Sequence, residues 1–104
     1  MTEARLECRL DVFDDTERQR YGALRAAIKA GAQETRELPD GYAVRLTSDA
    51  ALFRQAAEWI AFERRCCPFL DLGLDWSTAD AVWVKLTGGL GVKAYLASTL
   101  GRAG

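Results

Sequence analysis

"ERRCCPFLDLGLDW", residues 63 to 76, changes period in its middle, and that change decides the fold. Upstream of Pro68 the apolar residues recur at helical spacing: Leu52, Phe53, Ala56, Trp59, Ile60 and Phe62 fill a wide arc, as in a largely buried helix. Downstream, Leu70, Leu72, Leu74 and Trp76 alternate with other residues at the period of a strand. A proline pushes the residue before it out of the α region. The helix is therefore expected to start at a Ser48 cap, end near Cys66, and turn directly into the strand.

Both flanks repeat the alternation of helix and hairpin. After "STAD", the stretch "AVWVKLT" returns as a strand with Val82, Val84 and Leu86 inward, and "GG" breaks it. Residues 90 to 100 form a closing helix that stops at Gly101. On the other side, "QETREL" and "YAVRLT" flank "PDG", a turn in which Pro presets φ and Gly allows positive φ. Tyr42, Val44 and Leu46 of that hairpin face the core. Asp14 and Glu17 are spaced as a capping box for a helix carrying Tyr21, Leu24 and Ile28, with Gly31 as its left-handed stop. Residues 4 to 13 read as a first strand with Leu6, Cys8 and Leu10 on one face. The order is β-α-β-β-α-β-β-α over one domain, residues 1 to 104. Two hairpins favour an α+β fold, a mainly antiparallel sheet with its helices packed on one face.

Composition narrows the function. Hydrophobic residues are 49% and charged residues 28%, a soluble globular balance, and the net charge of −1 offers no basic excess for nucleic acid or an anionic membrane. The apolar runs are too short to span a bilayer. "MTEARLECRL" lacks the apolar core of a secretion signal, so a cytoplasmic protein is expected. The chain contains no histidine. That removes Cys-His and Ser-His-Asp catalysis and every histidine metal site, and leaves sulfur as the main ligand for a soft ion. A binding protein is favoured over an enzyme.

The cysteines are Cys8, Cys66 and Cys67. An odd number without an export signal argues against a disulfide scaffold and for reduced thiols. Adjacent positions on a helix point about 100° apart, but Pro68 takes Cys67 off helical geometry and lets it swing independently. A disulfide between the two is strained and is no stability device. Arg64 and Arg65 favour thiolates there, whereas the negative end of the helix dipole disfavours them. The balance suits metal capture better than nucleophilic chemistry, because a metal deprotonates its own thiol. Cys66 and Cys67, with Cys8 as a third sulfur, would favour Hg(II), Cu(I) or As(III); zinc, which usually takes four ligands, fits less well. The bland alternative is packing, since free cysteine behaves as a small buried hydrophobe.

Other residues carry weaker signals. Glu63 and Arg64 either stiffen the cysteine corner from behind or form a salt bridge at the helix end, and the salt bridge is the simpler reading for Glu63. Asp71 and Asp75 belong to the polar face of their strand. "TGGLGVK", residues 87 to 93, lacks the spacing of a phosphate loop and reads as a strand-to-helix turn. Trp83 points outward in this register, which suits a partner surface and a homodimer.

Taken with "ELPDGYAVRL" and "LTGGLGVKAYL", the motif Glu63, Arg64, Cys66, Cys67, Pro68 and Phe69 resembles a family of small, poorly characterised bacterial proteins carrying ER-x-CCPF. The likeness runs from about residue 7 to residue 100, and Cys8 sits where that family often has an early cysteine. The family has no established enzymatic activity, and its double cysteine suggests heavy-metal handling. Three functions are thus in view: capture of a thiophilic metal or metalloid, a structural or protein-interaction module with packed cysteines, and a thiol redox sensor.

Overall fold

The computed structural model describes residues 9 to 103. Its elements are α1 (Asp15–Gly31), β1 (Ala32–Leu38), β2 (Gly41–Leu46), α2 (Ala50–Cys66), β3 (Leu70–Thr78), β4 (Ala81–Gly88) and α3 (Val92–Ala103). The strands form one antiparallel sheet in the order β1-β2-β4-β3, so two hairpins lie side by side with β2 and β4 joined at the centre. This is the α+β arrangement expected from the period change at Pro68, in a single compact domain.

Most of the anticipated first strand, with Cys8, lies outside the described residues. Its described end differs from expectation: Leu10–Val12 is a short 3-10 turn. From there on, the order α-β-β-α-β-β-α is the expected one.

The core follows from period two on the strands and period 3.6 on the helices. Leu46, Val82, Val84 and Leu86 point from one sheet face into a cluster with Leu24, Ala56 and Leu96. Each Leu or Val side chain among them contributes roughly 1.5–3 kcal/mol when fully buried. Helix α2 lies against β3, α3 lies against β2 and β4, and α1 packs on α2. The other sheet face carries Arg36, Arg45, Trp83 and Lys85, as the alternation requires.

Three local expectations are corrected. Asp49, not Ser48, caps α2, accepting from the Leu52 N–H at 2.9 Å. Gly31 is no left-handed stop, because the positive-φ glycine among the described residues is Gly91, at φ 86° before α3. Gly31 is small for another reason: a Cβ there would run into the Leu52 side chain, where α1 and α2 approach closely. The closing helix also runs past Gly101, to Ala103. The capping box at Asp14 is present in both directions, with Glu17 N–H donating at 2.8 Å and Asp14 N–H donating back at 3.0 Å.

A buried thiol and carboxylate corner

The last turn of α2 builds the candidate site. Glu63 and Cys66 are three residues apart and therefore share a helix face. That face continues the stripe of Leu52, Ala56 and Trp59, so it points into the core. Cys66 and Cys67 are fully buried and Glu63 is 4% exposed. Cys67 is the C-cap, at φ −127° and ψ 67°, off helical geometry as Pro68 demands. This break brings the two sulfurs to 3.7 Å although they belong to neighbouring residues.

Backbone hydrogen bonds hold the corner in place. Cys67 N–H donates to Glu63 O at 2.7 Å, and Leu70 N–H donates to Cys67 O at 3.1 Å. The chain before α1 seals the corner from outside, with Arg9 N–H donating to Cys66 O at 2.8 Å. Arg64 donates through Nη1 to Leu70 O, which clamps the helix end to the start of β3. Arg65 turns the other way, to Glu17 at 2.6 Å and over the Phe13 ring at 5.0 Å. Neither guanidinium is directed to the thiols.

Glu63 is the hub. Its Oε2 accepts from the Tyr21 hydroxyl at 2.5 Å, and its Oε1 accepts from the Cys66 thiol at 3.5 Å. Burial and the bond to Glu63 push the Tyr21 hydroxyl well above its ordinary range, so it stays a donor. Burial first, and then the charge of Glu63, push the Cys66 thiol up to about 11. At neutral pH Cys66 is a protonated, weakly nucleophilic thiol, which weighs against a thiol enzyme. The ligand atoms of Glu63, Cys66 and Cys67 all lie within 4.8 Å of one another, a spacing that can hold a metal ion.

The sulfurs are not equivalent. Cys66 is a free thiol, whereas Cys67 is disulfide-bonded. This departs from the three reduced thiols expected of the sequence. As a metal ligand, Cys8 falls outside the described residues.

The structure thus brings Glu63, Cys66 and Cys67 together, and Arg64 braces them from the strand side. Where the sequence favoured a helix-end salt bridge for Glu63, the structure makes it the acceptor at the centre of the corner. Sequence reasoning missed Tyr21 as its partner, 42 residues away. The available signal was that Tyr21 and Glu63 both fall on the apolar stripes of their helices, where a polar group needs a partner. Trp83 lies on the opposite sheet face, half-buried beneath the Arg36 guanidinium at 4.6 Å, and takes no part in the corner.

Fold and site together define a small α+β domain with a buried cluster of two cysteines and a carboxylate. No known family model, curated protein or solved structure matches the chain. No described helix is long and apolar enough to cross a membrane.

Proposed function

We propose that the reduced protein captures a thiophilic metal or metalloid ion between Cys66 and Cys67, with Glu63 as the third donor. The observation that carries this reading is the convergence of three buried ligand atoms within 4.8 Å at a corner whose backbone is fixed. Two sulfurs and one carboxylate, with no imidazole in the chain, favour Hg(II), Cu(I) or As(III) over harder ions. The ion takes the place of the Cys66 proton, and Tyr21 continues to orient the carboxylate. Membership of the ER-x-CCPF family is part of the same proposal.

Capture requires reduction first. A disulfide sulfur is not a thiolate donor, and opening the bond takes two electrons and two protons, both from an added dithiol that becomes a disulfide, or the electrons from a phosphine that becomes its oxide and the protons from water. The ion then binds the two thiolates and releases their protons.

Cys67's disulfide favours a second reading. Here the bond staples the helix-to-strand corner, and Cys66 packs as a small hydrophobe beneath it. Ultraviolet titration with Hg(II) separates the two. Metal capture predicts that reduced Cys8→Ser holds one Hg(II) per chain against a competing monothiol, seen as sulfur-to-mercury charge-transfer absorbance, and that Cys8→Ser/Cys66→Ala, with a single thiol, loses it to the competitor. Equal retention by the single-thiol variant would overturn capture. No such retention by the wild type, with Cys67 resistant to reduction in the folded state, would establish the staple.

A further inference from the structure

A cavity of about 340 Å³ lies between the three helices and the inner face of the sheet. Its wall is mostly apolar, with Ile28 from α1, Val44, Val84 and Leu86 from the strands, and Leu96 from α3. This is the lower end of the size range of small-molecule sites, which are typically apolar with a few placed polar groups.

Two features of the wall call for an anion. Trp59, 8% exposed, lines the cavity, and its buried Nε1–H finds no acceptor among the described residues. A buried donor without an acceptor costs about 1–3 kcal/mol, so an arriving oxygen is favoured there. Arg25 and Lys29 also line the cavity, one turn apart on α1, and both are exposed. Neither enters an ion pair among the described residues, whereas Arg20 and Arg65 on the same pair of helices are both matched to glutamates. The Arg25 guanidinium lies over the Tyr21 ring at 5.9 Å.

These donors fall at one level. Helices α1 and α2 run antiparallel, since Glu17 meets Arg65 and Tyr21 meets Glu63. One turn onward from Tyr21 is Arg25, and one turn back from Glu63 is Trp59. The guanidinium and the indole N–H therefore flank the same stretch of the cavity. Glu63 bounds the neighbouring stretch and repels a second anion, which sets an acid head toward Arg25 and Lys29 and an apolar body toward the sheet.

We propose that this cavity binds a small monocarboxylic acid with an apolar body, its carboxylate accepting from Trp59 Nε1–H and paired with Arg25 and Lys29. The cavity adjoins the metal corner and shares Tyr21 and Glu63 with it, but its anion donors, Trp59, Arg25 and Lys29, belong to no part of that corner. Decanoate is a suitable probe, with decan-1-ol as its uncharged counterpart, and the Trp59 indole N–H resonance as the readout. Saturable displacement of that resonance by decanoate is expected, with affinity about tenfold or more weaker in Arg25→Gln/Lys29→Gln and for decan-1-ol. Both substituted residues are exposed, so the variant keeps its fold, which circular dichroism checks. Trp59→Phe, which fills the same wall without the donor, is expected to weaken decanoate more than decan-1-ol. An unmoved Trp59 resonance overturns the proposal. So does equal binding of the acid and the alcohol, or full decanoate affinity in Arg25→Gln/Lys29→Gln.

Discussion

Helices α1 and α2 are tied together twice at their rim and once in their interior. At the rim, Arg20 meets Glu58 and Arg65 meets Glu17, each at 2.6 Å, with all four side chains open to water. In the interior, Tyr21 meets Glu63 at 2.5 Å, with both residues buried. The distances are alike and the energetics are not. Water screens the rim pairs and replaces a lost partner, so each contributes little. The fold can therefore lose a rim pair freely, whereas the corner must keep its partners, and those partners hold the sulfurs in place.

The largest effect is expected from Tyr21→Ala. It removes a ring packed on Phe13 at 5.3 Å and on Phe62 at 6.2 Å, and leaves Glu63 without its phenol. A loss of about 4 kcal/mol is expected in chemical denaturation. Tyr21→Phe isolates the polar part, with an expected loss of about 2 kcal/mol and an unchanged denaturant slope. A loss no larger than that of a rim variant would abolish the distinction between interior and rim.

Titration reaches the two regions from opposite sides. The Cys66 thiol is raised in the folded state, to about 11. Its contribution to stability is fully present below the unfolded value near 9 and is lost as pH rises through about 11. Wild type should lose stability over that window more steeply than Cys66→Ala. Glu17 and Glu58 are lowered by the guanidiniums of Arg65 and Arg20. Their contribution is present above the unfolded value near 4.5 and is lost as pH falls through their folded values. The smallest effect is expected from Arg20→Ala: a slight, salt-sensitive loss at neutral pH that disappears in acid. A loss comparable to that of Tyr21→Phe would mean that the rim is also interior in its energetics.

Much of this architecture was legible because it depends on neighbours in sequence. The period change at Pro68, the Asp14–Glu17 capping box and the "PDG" turn each place their signal within a few residues. Ser48 and Asp49 are both good caps, and the choice between them rests on which side chain reaches the Leu52 N–H. Gly31 was misread because its constraint comes from Leu52, on another helix. The corner divides the same way. Cys66, Cys67 and Glu63 could be picked out locally, but the Tyr21 bond and the cavity beside Trp59 arise only when α1 lies antiparallel on α2. The disulfide at Cys67 was hidden for a chemical reason, since an odd cysteine count carries no pairing.

The most direct test of the corner as a soft-metal site is native mass spectrometry of Cys8→Ser titrated with Hg(II) in the absence of reductant. This variant leaves Cys67 no partner within the chain except its strained neighbour and removes Cys8 as a ligand. One tightly held ion per chain, lost when Glu63, Cys66 and Cys67 are replaced together, is the result the account predicts. A chain that stays folded and retains no ion would contradict it, and would leave the double cysteine as packing and a staple.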